Sequence, residues 1–147
     1  MNGRTLVVWF VAFLAVFAAA LVYYQFFAFY ERTDRYPPLV IGGQTVALED
    51  YEGISASSSP LKLRGCFRVD PAAVTSLPVA EDPTALTPPP WFRCFDAEAI
   101  QKGIEAGEAA AFLVAADAPD GFDVMMAVYP DGRGYLWRQL SSRFKDQ

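Results

Sequence analysis

An uninterrupted apolar run near the N-terminus constrains this chain more than any other feature. Residues 6–24 read LVVWFVAFLAVFAAALVYY, and Arg4 is the only charged side chain among residues 1–30. A helix of this length spans roughly 28 Å, which is enough to cross the hydrocarbon core of a bilayer. Aromatic residues then give way to charged ones after Tyr30, as expected where a span meets water. We therefore predict a retained transmembrane anchor over residues 1–30.

A cleaved signal peptide is the competing interpretation of the same segment. Arg4 supplies a positively charged start, and the alanines at 18–20 resemble a cleavage site of small residues. The apolar run continues past that site, however, and it exceeds the usual signal-peptide core of about 7–15 residues. The length of the run thus favours the anchor.

Two alanines within the anchor have a spacing that suits helix association. Ala15 and Ala19 lie four residues apart, so they share one side of a helix. Small residues at this spacing let a second helix approach closely. Alanines are also common on lipid-facing surfaces, and that is the simpler interpretation of this pair.

The composition indicates one small acidic domain beyond the anchor. The chain has 147 residues and a net charge of −5. An acidic chain without basic clusters argues against nucleic-acid binding, which needs Lys and Arg to neutralise phosphates. The sequence contains no histidine, which excludes His-based triads, histidine-ligated zinc and phosphohistidine chemistry. We expect no nucleic-acid partner, no cofactor and no enzymatic activity.

The sequence predicts that this domain has an α+β fold, a small antiparallel sheet with one packed helix and a long proline-rich loop. Residues 31–38 are predicted to form a juxtamembrane linker, because Pro37 and Pro38 stop any helical continuation. The domain itself takes up residues 39–147. Its clearest strand runs over residues 61–69, where apolar and polar side chains alternate. Further strands are predicted at residues 39–41, 45–48, 109–115, 122–129 and 135–140.

The loops and the helix of this domain are indicated by turn and capping residues. Residues 53–60 (GISASSSP) are small and polar, which is typical of a loop. Residues 71–90 contain six prolines, too many fixed φ angles and missing donors for regular structure, so we predict a long surface loop there. Asp96 suits the N-cap of the one helix, which we expect to end near Ala106 before Gly107.

The two cysteines, Cys66 and Cys94, are candidates for a disulfide. An even number of cysteines on an exported domain favours pairing, and closing a loop of this length is worth roughly 3–4 kcal/mol on the chain-entropy model. Two alternatives stay open: a pair of inert buried thiols, and a Cu(I) site completed by Met125 or Met126. No CxxC motif and no histidine supports copper. The cysteines also favour placing the domain outside the cytoplasm.

Carboxylates and aromatic residues supply the remaining candidate sites. The group Asp117, Asp120 and Asp123 does not match an EF-hand loop, and we expect these acids to be solvated turn charges. Aromatic residues of the domain are candidates for a surface that binds a partner, although most aromatic side chains in a small domain belong to the core. The candidates for this surface are Tyr51, Trp91, Phe92, Tyr135 and Trp137.

Four segments of the chain resemble a known family. They are residues 51–60 (YEGISASSSP), Cys66-Phe67, residues 91–100 (WFRCFDAEAI) and residues 131–135 (DGRGY). On these segments the chain is similar to small membrane-anchored proteins of unknown function from alphaproteobacteria of the Rhodobacter type. The resemblance implies a single-pass protein of the Gram-negative inner membrane with its domain in the periplasm.

The resemblance brings no established activity with it. Some members of that family are labelled histidine kinases, but this chain has no histidine and no nucleotide-binding motif, so we reject that label here. Similar proteins continue into a longer tail with further cysteines, so the family does not define how Cys66 and Cys94 pair.

The leading hypothesis is a non-catalytic accessory protein, subunit or assembly factor. It would bind the lipid bilayer through its anchor and an unidentified membrane protein or complex through its domain. The alternative is a periplasmic copper metallochaperone or thiol-redox protein that uses Cys66 and Cys94.

Overall fold

The computed structural model describes residues 2–145 and begins with one long helix, α1 (Gly3–Phe26). The side chain of Asn2 caps this helix by accepting from the backbone N–H of Thr5 at 2.9 Å. None of its residues is buried, and its most apolar window has a mean hydropathy of 2.7. The predicted helix is therefore confirmed as long and apolar enough to cross a membrane.

The rest of the described chain forms an antiparallel sheet of six strands, a separate two-stranded hairpin and two further helices. The sheet order is β1-β4-β5-β8-β7-β6, and β2 pairs with β3 to form the hairpin. This arrangement confirms the predicted α+β class. The strands are β1 (Glu31–Thr33), β2 (Leu39–Ile41), β3 (Gln44–Val46), β4 (Glu49–Ser55), β5 (Arg64–Arg68), β6 (Ala110–Ala115), β7 (Phe122–Val128) and β8 (Arg133–Leu140), and the helices are α2 (Ala97–Glu105) and α3 (Ser142–Lys145).

Both faces of the six-stranded sheet are buried. Side chains at 124, 126 and 128 of β7 pack on one face together with the β2–β3 hairpin, which we call the hairpin face. Those at 125 and 127 pack on the other face together with α2, the helix face. A strand covered on both sides tends to be apolar without alternation, which explains the continuous apolar run at residues 124–128 of β7.

The predicted proline-rich loop, residues 71–90, lies mainly against the helix face and is held by buried polar side chains. Arg64 donates from Nε to the carbonyl oxygen of Leu86 at 2.7 Å. Gln101 of α2 accepts from the N–H of Ala85 at 2.9 Å. The loop is also more regular than predicted, with a 3₁₀ turn at Pro71–Val74 and a bridge from Val79 to Phe112 that covers the edge of β6.

Several predicted elements are confirmed with small shifts in their ends. Asp96 caps α2 by accepting from the N–H of Ala99 at 3.0 Å, and Gly107 follows the helix at φ +75°. The hairpin occupies residues 39–46 as predicted, and the strands predicted over 109–115, 122–129 and 135–140 correspond to β6, β7 and β8.

The prediction of a polar loop at residues 53–60 is wrong for residues 53–55, which belong to β4. A glycine stands at position 53 because the ring of Tyr51 lies over it: a Cβ there would be 2.4 Å from Tyr51 Cε1. The region predicted to be a linker, residues 31–38, also contains β1, so that only residues 27–30 separate the sheet from α1.

Candidate functional site at the membrane exit

The domain begins almost directly where the anchor ends. Only residues 27–30 separate α1 from β1. The N–H of Ala28 bonds back to the carbonyl oxygen of Tyr23 at 2.8 Å, and Phe29 turns the chain with a φ of +69°. The connection between α1 and the domain is therefore a tight turn rather than a flexible tether.

Trp91 joins the domain to this turn. Its indole Nε1–H donates to the carbonyl oxygen of Phe26, the last residue of α1. Its ring stacks on Phe27 with centroids 6.1 Å apart and meets the ring of Tyr30 edge-on at 5.7 Å. Aromatic contacts of this geometry add roughly 0.5–1.5 kcal/mol each beyond the area that they bury. We call Phe27, Tyr30 and Trp91 the exit cluster.

Cations border the exit cluster. The guanidinium carbon of Arg32 lies 4.4 Å from the centroid of the Trp91 ring, and Lys62 Nζ lies 4.9 Å from that of Tyr30. These are distances at which a cation is attracted to the face of an aromatic ring.

A disulfide holds the segment that carries Trp91. Cys66 on β5 and Cys94, three residues beyond Trp91, are bonded to each other, with Cα atoms 6.3 Å apart. The predicted pairing is confirmed. Since the bond occupies both sulfurs, neither cysteine is a thiolate in this form of the protein, and Cu(I) binding would require the disulfide to be reduced.

Arg64, beneath the exit cluster, is a buried charge that the sequence analysis did not single out. Its side chain donates to the carbonyl oxygens of Leu61, Leu63 and Leu86, and it is only 5% exposed. Burial lowers its pKa to about 10, so it remains protonated at neutral pH. In the alternating pattern of residues 61–69, Arg64 lies on the face opposite the apolar side chains. The alternation holds, but both faces of the sheet are covered, so Arg64 is buried as well.

The predicted aromatic surface is wrong for three of its five residues. Trp137 is 0% exposed, Phe92 3% and Tyr51 5%, so all three belong to the core. Tyr135 is half-buried against Phe95 and Tyr129. Of the candidates, Trp91 contacts the chain's own anchor, which the sequence analysis did not predict.

Other predicted candidates lie apart from the exit cluster. Ala15 and Ala19 are exposed on α1, and their role in helix association stays a prediction. Arg143 donates to both Asp117 and Asp120 at 2.6 Å, and Asp123 accepts from the N–H of Asp117. Asp117 and Asp120 are thus turn charges paired with Arg143, whereas Asp123 is buried, so the prediction that it is solvated is wrong. Within residues 2–145, no three His, Cys, Asp or Glu side chains are grouped so as to hold a metal ion.

Residues 40–146 match DUF6446, a family of unknown function. The chain belongs to DUF6446. The match includes Lys62, Trp91 and both cysteines, whereas Phe27 and Tyr30 precede it. The exit cluster is therefore built where the DUF6446 domain meets the segment that leads out of α1. The chain matches no curated protein and no solved structure.

Proposed function

We propose that this DUF6446 protein is a non-enzymatic accessory protein, subunit or assembly factor of a membrane complex. A single helix would hold it in the bacterial inner membrane, with the DUF6446 domain in the periplasm. The observation that carries this proposal is the docking of Trp91 on the end of α1 through Phe26 and Phe27.

Docking of this kind suits a protein that works by contact with a neighbour in the same membrane. A flexible linker lets a domain sample a volume that grows with linker length. The four residues between α1 and β1, together with the Trp91 contacts, instead hold the domain in one orientation over the end of its helix. A partner in the same bilayer then meets one defined surface at a high effective concentration.

The edge strand β1 is the surface that we expect a partner to use. All three of its residues are exposed, and it ends the sheet on the side nearest α1. The opposite edge, β6, is covered by Val79 through its bridge to Phe112. Edge strands offer backbone groups that pair with an extended segment of another protein. We infer that an extended segment of a neighbouring membrane protein adds to β1.

Site-specific photocrosslinking in native membranes tests this proposal. A photoreactive side chain at Thr33 of β1 is expected to trap one discrete protein, whereas the same group at the exposed Glu98 of α2 is expected to trap none. The variant Trp91→Ala is expected to abolish the Thr33 product while the domain stays folded, and Trp91→Phe to retain part of it because the stack on Phe27 survives. Identical products from both positions, or none, would refute the proposed interface.

The copper or thiol-redox hypothesis is tested separately by counting thiols in the full-length protein. We expect no reactive thiol in the unfolded, unreduced protein and two after reduction. Free thiols without reductant, together with stoichiometric Cu(I) binding, would replace the accessory function with that alternative. Protease digestion of spheroplasts tests the periplasmic placement, since a domain outside the cytoplasm is degraded while the cells stay intact.

A further inference from the structure

The basic side chains of residues 31–143 differ in what satisfies their charge. Some form ion pairs with carboxylates, and others donate to backbone carbonyl oxygens. Within residues 2–145, Arg32, Lys62 and Arg93 form neither an ion pair nor a hydrogen bond to a carbonyl oxygen. Arg32 and Lys62 lie over aromatic rings, and Lys62 also reaches a neutral hydroxyl. Arg93 is exposed. The ion-paired residues are Arg35, Lys102, Arg133 and Arg143, and the carbonyl-bound ones are Arg64, Arg68 and Arg138.

All three of these cations border the exit cluster. Arg32 covers the Trp91 ring, Lys62 faces Tyr30, and Arg93 follows Trp91 by two residues. On a chain with a net charge of −5, this local group of positive charges lies where the protein leaves the membrane. An anion held there would gain from three cations that no carboxylate of the described chain neutralises.

An apolar groove of about 350 Å³, lined in part by Arg93, opens beside the Trp91 ring that Arg32 covers. Its walls come from both sides of the membrane exit, since α1 contributes one side and the turn around Trp91 the other. The α1 residues lie at the end of the predicted span, at the depth of the upper acyl chain and the headgroup. The groove is lined by Val22, Phe26, Phe27, Pro90, Trp91 and Arg93.

We propose that this groove binds one anionic phospholipid of the surrounding bilayer. Its phosphate lies between Arg32 and Arg93, and an acyl chain follows α1 along Val22 and Phe26. Arginine suits this role because its guanidinium group donates two parallel hydrogen bonds to phosphate oxygens. The combination of an apolar wall on a membrane-spanning helix with cations at its end fits a lipid better than a soluble anion.

Native mass spectrometry of the full-length protein in neutral detergent tests this proposal. The protein is offered equal amounts of phosphatidylglycerol and phosphatidylcholine with identical acyl chains. We expect the phosphatidylglycerol adduct to be about fivefold or more as abundant as the phosphatidylcholine adduct. In the double variant Arg32→Gln/Arg93→Gln, we expect the phosphatidylglycerol adduct to fall by roughly tenfold. Equal adducts of both lipids on the unmodified protein would overturn the proposal.

The double variant Arg133→Gln/Arg143→Gln is the matched control, because it removes two positive charges from elsewhere. Arg133 of β8 lies opposite Arg68 in the register of β5 and β8. This position is at the end of β5 away from Arg64 and the exit cluster. The control is expected to keep its phosphatidylglycerol adduct, and a loss as large as that at the exit would show a general charge effect and refute the site. Displacement of the lipid by millimolar glycerol phosphate would show a soluble-anion site, which also contradicts a lipid-binding groove. Unchanged thermal midpoints show that each variant is folded.

Discussion

The two faces of the sheet are both buried, but their covers are held by different means. On the hairpin face, the rings of Tyr51 and Phe67 lie flat over glycines of β4, β5 and β8, and apolar contact dominates. On the helix face, a disulfide and the buried side chains Arg64 and Gln139 hold the cover in place. Of the two faces, the helix face continues, through Trp91, to the end of α1.

The difference arises because the two covering segments satisfy their backbone hydrogen bonds in different ways. The β2–β3 hairpin pairs its N–H and C=O groups internally, so it needs only apolar side chains to bind the sheet. Each of the six prolines in residues 71–90 lacks an N–H donor, so the segment does not form a regular ladder of its own. Several of its carbonyl oxygens instead accept from side chains of the sheet and α2. Arg64, Gln101 and Gln139 supply them at Leu86, Pro83 and Asp82. Changes on the helix face should therefore loosen the contact between Trp91 and the end of α1, whereas changes on the hairpin face should affect stability alone.

Removing the disulfide is expected to have the largest effect. The variant Cys66→Ala/Cys94→Ala should lower the free energy of unfolding by roughly 3–4 kcal/mol, because an open loop of this length gains conformational entropy in the unfolded chain. Denaturant unfolding of the full-length protein in detergent measures this loss. The unmodified protein in reductant is the control and should lose the same amount. A loss below about 1 kcal/mol would mean that the helix face does not depend on its covalent bond.

Replacing Arg64, the buried charge of the helix face, is expected to have the next largest effect. Arg64→Met should cost about 3 kcal/mol, because three carbonyl oxygens lose a charged donor. It should also raise the exposure of Trp91 to an aqueous fluorescence quencher. Arg68→Met is the matched control on the same strand: Arg68 is exposed and reaches one carbonyl oxygen, that of Asp131. Equal losses for both variants would show that burial of Arg64 adds nothing.

These contrasts also show which features the sequence could predict. The anchor, α2 and the strands β6 to β8 depend on local patterns such as length, capping residues and apolar runs, so they follow directly. The sequence predicted no strand at residues 49–52 and a loop from Gly53 onward, because glycine is typical of a loop. In β4, Gly53 instead makes room for the Tyr51 ring. The same ring also lies over Gly65 of the neighbouring strand β5, a tertiary contact that local sequence patterns do not show.

The candidate site was less predictable than the fold. The aromatic residues were recognised as a group, but the sequence does not order the strands, so it could not separate core side chains such as Trp137 from Trp91 at the exit. Strand β1 has only three residues and no apolar pattern, too little to stand out. The disulfide was predictable because the chain has only two cysteines and begins with an apolar run of the kind found in exported proteins.

On the hairpin face, overpacking should act without disturbing the exit. A Cβ at Gly134 would lie 2.2 Å from the Phe67 ring, which is buried and has little room to move. Gly134→Ala should therefore cost about 2 kcal/mol, with Trp91 quenching unchanged. The double variant Gly134→Ala/Phe67→Leu is expected to cost less than the sum of its single changes, because the smaller side chain relieves the contact. Strict additivity would contradict the proposed packing.

The smallest expected effect is a gain in stability from Tyr51→Phe. The Tyr51 hydroxyl is buried and has no hydrogen-bond partner within residues 2–145, so its removal should raise the free energy of unfolding by about 1 kcal/mol at pH 7. Burial is also the main cause that raises the pKa of Tyr51 above the value of about 10 in an unfolded chain. A raised pKa in the folded state means that the unmodified protein loses stability as the pH rises above about 10.

Unfolding at neutral pH and again near pH 10.5 separates these two contributions. Tyr51→Phe should be more stable at both and should lose less between them, since the titrating hydroxyl is gone. Tyr36→Phe is the control: burial raises the pKa of this neighbouring, half-buried tyrosine as well, but its hydroxyl is not among the buried unpaired groups. It should therefore flatten the alkaline loss without the gain at pH 7. A loss of stability in Tyr51→Phe at pH 7 would mean that the hydroxyl is satisfied, most directly by Arg138, whose charge acts on both tyrosines. The hairpin face would then rely on a polar contact just as the helix face does.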